Sequence, residues 1–547
     1  MSDPLSKFLH WEKETPDHLL FHQPLPGTIR TWTYAQAGQE IRKVASALML
    51  YDIPPRSRIA ILSKNCAQWM MADLGIMMAG HIPVPLYPTL SAHAIDQILK
   101  HSEPKVIFIG KLDDYENQKG GIPGDIQKIS FDEYGIREGW LWSELLAKHK
   151  PLENKAPFGR NEVATIKYTS GTTGTPKGVM ISLHAIDTAL SHAFPVMKTG
   201  SKDRFFSYLP LSHIAERMLV EFGGIYNGAS IYFSESLDKF AANLAHAQPT
   251  VFLAVPRIWA RFKEKILEKI PQKRLNILLS IPIISSLIKK TIRRNLGLSK
   301  CNWAITGASP ITVDLLEWYQ KLGITIREVY GMTENLAWAT SNVEKVKFGT
   351  IGLPWTNVQF RLSKEGEIQT KGDAMMLGYY KSPELTKDTF TDDGFLKSGD
   401  VAEAGSEGFV TITGRIKDLF KTDKGKYVAP LPIELKLSSN TDIEQVCVVG
   451  MGVPQPMALV VLSAVGKSKN KEELSKSLSK TLDAVNREIE TYEQLEAAVV
   501  MNSDWTIENG LLTPSLKVKR NEVEKIYLAK YPYWYSLKKR IVFTSEL

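Results

Sequence analysis

The sequence predicts an α/β protein: a large N-terminal part of doubly wound α/β subdomains plus a small β subdomain, followed by a smaller α+β C-terminal domain. Three observations carry this. Short apolar runs of strand length alternate with stretches of helical periodicity up to about residue 345, the pattern of a mostly parallel sheet covered by helices. The texture then turns to short strands with Gly-rich turns, and near residue 414 it changes again. The chain has 547 residues, and domains of about 100–200 residues each imply several separate cores.

In residues 34–50 apolar side chains recur at helical spacing. Residues 58–63 (RIAILS) form a buried strand, leading to a helix through Trp69 and Met77, and VIFI at 106–109 repeats the strand signal. Further units are 205–209 with a helix from His213, 230–233, 250–255, and 301–305 with a helix ending near Leu322. Residues 351–380 (IGLPWTNVQFRLSKEGEIQTKGDAMMLGYY) suit a β subdomain. Beyond 414 come a strand at 445–449, a charged helical region at 471–490 and a basic end. A boundary at 414–418 divides the chain into 1–414 and 415–547.

Composition narrows the classes. With 67 Lys+Arg, 59 Asp+Glu, 44% hydrophobic and 23% charged residues, the net charge is +8 and disorder is excluded as a description of the whole chain. Cys66, Cys301 and Cys447 are too few and too scattered for a disulfide framework or a zinc site, so a reducing cytosol is the expected compartment. The start lacks a basic head followed by an uninterrupted apolar stretch, so no export signal is read. The most apolar windows, 67–87 and 275–288, fall short of the roughly 20 apolar residues that span a bilayer.

The sharpest local feature is residues 168–178, YTSGTTGTPKG. Glycines let backbone N–H groups wrap an anion, hydroxyls add donors, and a lysine neutralises charge. Thr169, Ser170, Gly171, Thr172, Thr173, Gly174 and Lys177 therefore read as a polyphosphate cradle. Here Lys177 precedes Gly178, whereas a P-loop ends in Gly-Lys-Ser/Thr, so kinase or GTPase mechanics do not carry over. The competing reading, a Gly/Thr surface turn, is disfavoured by the hydroxyl density.

Four more motifs follow in order: TGAS (306–309), YGMTE (330–334), SGD (398–400) and GRIKD (414–418). With the 168–178 loop they make the chain resemble the adenylate-forming superfamily over nearly its whole length. The long-chain fatty acyl-CoA synthetases look closest, through YLPLSHIAER (208–217), FKTDKGKYVAP (420–430) and IENGLLTPSLKVKR (507–520). The resemblance implies that a fatty acid carboxylate attacks the α-phosphate of ATP, giving acyl-AMP and pyrophosphate, and that the CoA thiol then displaces AMP. An acyl-AMP or acyl-carrier-protein ligase is the alternative.

By that resemblance Thr169–Gly174 and Lys177 hold the β- and γ-phosphates, Glu334 and the Thr169 hydroxyl bind Mg²⁺, and Thr333 reaches the α-phosphate. Gly307, Ala308 and Ser309, with Tyr330, Gly331 and Met332, pack around adenine. Asp400 accepts from the ribose hydroxyls, with Arg415 as a donor beside it. Lys517 is the adenylation lysine, chosen over nearby Lys519 and Arg520 because it fills the lysine position of TPSLK; the usual preceding glycine is Leu516 here. A lysine useful in one half-reaction implies a mobile C-terminal domain, pivoting at Lys417.

His213 and Arg217 are expected at the border of the acyl pocket by the same resemblance. Residues 257–300 hold 12 Lys+Arg and two Glu around the apolar run LNILLSIPIISSLI. Two readings stand: an interfacial element touching the inner membrane surface of a cytoplasmic enzyme, or an apolar run packed on the protein beneath a solvated basic face. A nucleic-acid partner is not expected, because the basic residues do not interleave with aromatics. A non-catalytic nucleotide-binding regulator is disfavoured by the presence of both Glu334 and Lys517.

Overall fold

The computed structural model describes residues 3–51, 53–170, 176–507, 509–513 and 516–546. It is the expected mixed α/β architecture, with a large N-terminal domain built on parallel sheets and a smaller C-terminal domain.

One sheet is five-stranded and parallel, in the order Ile82–Leu86, Arg58–Leu62, Val106–Ile109, Gln127–Ser130, Trp140–Leu141. Its inner strands Arg58–Leu62 and Val106–Ile109 are near-continuous apolar runs because both of their faces are buried. The helix Ala67–Met78 is buried at every position, as an all-round apolar helix must be. Ile82–Leu86 carries Pro83 and Pro85 and is tolerated because it is an edge strand; Pro83 O accepts the Thr165 hydroxyl of the strand packed over it, at 2.9 Å.

The second large sheet has nine strands, with a parallel centre formed by Ile326–Tyr330, Trp303–Thr306, Val251–Leu253, Arg204–Ser207 and Ser230–Phe233. Between the two sheets lies a three-stranded antiparallel unit, Gly378–Tyr379, Pro176–Ser182 and Val163–Ser170. The β subdomain is a four-stranded antiparallel sheet, Gln359–Leu362, Glu367–Lys371, Leu396–Ala404 and Val410–Arg415.

The C-terminal sheet orders Ile443–Val449, Met457–Leu462, Ala497–Val500 and Ile541–Phe543, with the helix Lys471–Asn486 packed on it. Residues 257–300 fold as three helices, Pro256–Lys269, Gln272–Ser280 and Pro282–Asn295. Leu275 and Ile292 are buried, while Ile277, Ile283 and Leu287 are 63%, 79% and 61% exposed, so the run is packed on one side and open on the other. Among the described residues no helix is long and apolar enough to cross a membrane.

Candidate active site

The predicted cradle begins on a hairpin. Val163–Ser170 and Pro176–Ser182 run antiparallel with Thr169 opposite Lys177, so both side chains stand on one face of the pair. Gly171, Thr172, Thr173 and Gly174 lie outside the described residues, as does the side chain of Ser170. The Lys177 ammonium stands 5.5 Å from the ring centroid of Tyr379, which the neighbouring strand places on the same face. The Tyr379 hydroxyl donates to Glu334 Oε1 at 2.7 Å, and burial followed by the Glu334 charge pushes the phenol pKa up, so it stays a donor. Lys177, Tyr379 and Glu334 thus form one file. Tyr379 is not legible in the sequence, because no periodicity separates it from Tyr380.

Glu334 sits in the turn Thr333–Asn335, and Met376 N–H donates to its carbonyl at 2.7 Å. Among the described residues no hydrogen bond reaches Glu334 Oε2, which leaves a carboxylate oxygen suited to a hard cation. No cluster of three or more His, Cys, Asp or Glu is placed to hold a metal among the described residues. Glu334 Oε2 suits Mg²⁺, which commonly takes one or two carboxylates and completes its shell with substrate phosphates and water.

The residues expected on the nucleoside side lie at the carboxyl ends of two adjacent parallel strands, where ligands of open α/β sheets bind. Gly307–Ser309 follow Trp303–Thr306, and Gly331 and Met332 follow Ile326–Tyr330. A Cβ on Gly307 would lie 2.8 Å from Val329 O, and one on Gly331 would lie 2.4 Å from the carbonyl carbon of Ala337, so the close backbone approach at both requires glycine. The Tyr330 hydroxyl donates to Asp400 Oδ2 at 2.6 Å, and Arg415 Nε donates to Asp400 Oδ1 at 2.6 Å. Asp400 and Arg415 are register partners across Leu396–Ala404 and Val410–Arg415. Each Asp400 oxygen accepts one bond and keeps a second lone-pair direction for a ligand hydroxyl.

Lys517 forms the third wall. Thr513 N–H donates to Lys517 O at 2.8 Å and Lys517 N–H donates to Thr513 Oγ1 at 3.0 Å. Leu516 closes this turn at φ 63°, the left-handed region that favours glycine. Lys517 is exposed; desolvation lowers its pKa, Arg415 adds to that, and Asp400 opposes it. His213 lies within the field of the Lys517 charge. It caps Ile214–Glu216, accepting from Ala215 N–H at 3.3 Å, and burial together with the Lys167 and Lys517 charges pushes its pKa down to about 3. The imidazole is neutral at ordinary pH. Arg520 is committed elsewhere, donating to Val448 O at 2.5 Å and pairing with Glu434. Lys417 is exposed in the turn Ile416–Asp418, between the β subdomain and the C-terminal sheet.

Arg217, expected at the border of the acyl pocket, is buried among polar partners. It is 1% exposed; its guanidinium donates to Asp73 Oδ1 at 2.5 Å and to Thr165 Oγ1 at 2.7 Å, with Glu221 Oε2 at 3.4 Å. The segment Arg217–Phe222 is π-helical, a winding often found at functional sites.

The AMP-binding enzyme family model matches residues 8–380, and the AMP-binding enzyme C-terminal domain model matches residues 417–536. The chain belongs to the AMP-binding enzyme family. Among curated proteins it is similar to the long-chain-fatty-acid–CoA ligase FadD15 of Mycobacterium bovis, 27% identical over 94% of this chain and 93% of the relative. It is also 28% identical to long-chain-fatty-acid–CoA ligase 5 of Rattus norvegicus, over 90% of this chain and 83% of the relative. In fold it resembles the adenylation domain of a carboxylate reductase from Mycobacterium chelonae, with TM-score 0.82 at 21% identity, covering 98% of this chain and 91% of that one.

Proposed function

We propose that this chain is an ATP- and Mg²⁺-dependent fatty acid:CoA ligase that forms acyl-AMP and then acyl-CoA. The supporting observation is that Asp400 and Arg415, joined at 2.6 Å, lie within the field of Lys517, which also reaches His213, beside the file of Lys177, Tyr379 and Glu334. A carboxylate and a triphosphate repel one another, and cations held on either side lower that repulsion without reorganising as they react.

In the first half-reaction a carboxylate oxygen bonds to the α-phosphorus and the bond to pyrophosphate breaks. Lys177 and the 169–174 loop hold the departing phosphates, Thr333 faces the α-phosphate, and Lys517 bridges carboxylate and phosphate. Glu334, with Thr169, would hold Mg²⁺, which supplies charge neutralisation on the phosphates. Tyr379 fixes Glu334 for that task. Tyr330 and Asp400, tied together at 2.6 Å, hold the nucleoside. In the second half-reaction the CoA thiolate attacks the acyl carbonyl carbon and AMP leaves. Domains of 1–414 and 415–547, pivoting at Lys417, let Lys517 withdraw. His213 and the segment around Arg217 border the acyl end, and the open face of the 257–300 helices is where the enzyme meets anionic lipid.

The test is a panel of carboxylates of increasing chain length assayed by ATP-dependent pyrophosphate release, with CoA or a carrier protein then offered as acceptor. Release with fatty acids and discharge by CoA is the expected result. Discharge by the carrier protein alone would make it an acyl-carrier-protein ligase, and no release with any acid would remove the reading.

A further inference from the structure

One cation in the site has no task in this scheme. Lys167 stands two positions before Thr169 on Val163–Ser170 and so shares its face, which continues across the unit through Val179, Lys177 and Tyr379. It is 1% exposed, and among the described residues its Nζ has no hydrogen-bond partner. The Tyr87 ring has its centroid 5.4 Å from Nζ. A lysine so placed does not reach solvent, and an unpartnered buried amine costs stability whether charged or neutral.

The groups around it define what is missing. Arg217, from the segment that follows His213, is answered by Asp73 at 2.5 Å. Glu221 shares that cluster, its pKa pushed up by burial first and then by the Asp73 charge. Glu216 is likewise buried, its pKa pushed up to about 8 by desolvation. Glu334 lies within the field of Lys167 but is bonded to Tyr379. His213, which also feels Lys167, is neutral. Among the described residues the face thus carries a buried amine with no anion of its own, between the residues assigned to the acyl border and those assigned to the phosphates.

We propose that Lys167 binds the carboxylate of the acid to be activated, as a fixed cation on the N-terminal domain opposite the mobile Lys517. The proposal rests on the reading of the chain as a carboxylate-activating ligase, and adds the group that distinguishes an acid from an uncharged chain of equal length. A carboxylate placed there would accept a charge-assisted hydrogen bond from the otherwise unpartnered Nζ. Because Lys167 sits on a strand, it stays with the acyl oxygen when Lys517 withdraws.

The test compares wild type with Lys167→Met, which keeps the chain length and removes the amine. Equilibrium binding of the acid preferred in the carboxylate panel, and of its primary alcohol, is measured by calorimetry, beside KM for acid and for ATP. We expect acid affinity to fall roughly 10- to 100-fold with alcohol affinity and the ATP KM unchanged, so that the preference for acid is lost. A variant that keeps the wild-type acid-over-alcohol preference overturns the proposal. So does a parallel loss for acid, alcohol and ATP, which marks a structural lysine. If Lys167→Met does not fold, Lys167→Gln replaces it in the same measurements, and either of those two results overturns the proposal there as well. Absence of pyrophosphate release from wild type would instead overturn the ligase reading, independently of the acid-over-alcohol comparison.

Discussion

At the scale of single residues, the site divides into side chains that chemistry names and side chains that only geometry finds. Lys517 is of the first kind. Lys517→Ala should leave ATP affinity within error of wild type by calorimetry while pyrophosphate release with fatty acid falls about 10²- to 10³-fold, the usual loss of one preorganised charge; a parallel loss of ATP binding would remove its assigned role. Arg217 is of the second kind. Its partners Asp73 and Thr165 lie 144 and 52 positions away, so no local spacing announces a buried ion cluster. Asp73→Ala combined with Glu221→Gln leaves the Arg217 charge without a carboxylate and should cost roughly 3–5 kcal/mol in denaturant unfolding, most of it recovered when Arg217→Met is added. Lys167 and Tyr379 are illegible in the sequence for the same reason, whereas the motif residues are legible because their spacing along the chain is fixed by the ligand. Glu328 gives a pH test. Its carboxyl, 9% exposed on Ile326–Tyr330, is pushed by burial from 4.5 up to about 8. The folded chain therefore keeps a proton that the unfolded chain releases, so this stabilisation is full below pH 4.5 and is lost as pH rises through 8. The gain in thermal midpoint of Glu328→Gln over wild type should grow across that window and level off above it; a gain constant with pH would contradict the burial argument.

At the scale of elements, most strands of the parallel sheets are legible, because a strand covered on both faces is an apolar run of four or five residues. Arg58–Leu62, Val106–Ile109 and Ser230–Phe233 fall where alternation places them. Ile82–Leu86 does not, since two prolines read as breakers until the strand is known to be an edge. The turn Ile416–Asp418 is legible only through motif order, as three residues carry no periodicity. Its role is testable by half-reaction. Lys417→Pro restricts backbone rotation at the proposed pivot, and should spare pyrophosphate release while slowing CoA-dependent discharge of preformed acyl-AMP about tenfold or more in single-turnover assays. Equal slowing of both steps would place the pivot elsewhere.

At the scale of the whole molecule, the net charge of +8 conceals its distribution. Residues 257–300 hold 12 basic and two acidic side chains, and residues 517–540 hold eight and two, so the remainder is acidic. The second basic region carries Lys517. In the first, Arg257 pairs with Glu444 on Ile443–Val449, with Arg261 at 3.9 Å, so two of its cations serve the contact between domains. Those on Pro282–Asn295 have no such partner: Lys289, Lys290, Arg293 and Arg294 form no ion pair among the described residues, and they follow the exposed Ile283 and Leu287 on one helix. Apolar side chains open to solvent beside unpaired cations match an anionic lipid surface, where each cation near the membrane adds about 1 kcal/mol. Neutralising those four residues to Gln should therefore abolish most co-sedimentation with phosphatidylserine vesicles, leave sedimentation with zwitterionic vesicles unchanged, and spare pyrophosphate release from acid presented in detergent. Equal pelleting of wild type and variant on anionic vesicles would mean that the exposed isoleucines and leucine face water, and that the basic helix is a solvated surface with no lipid to meet.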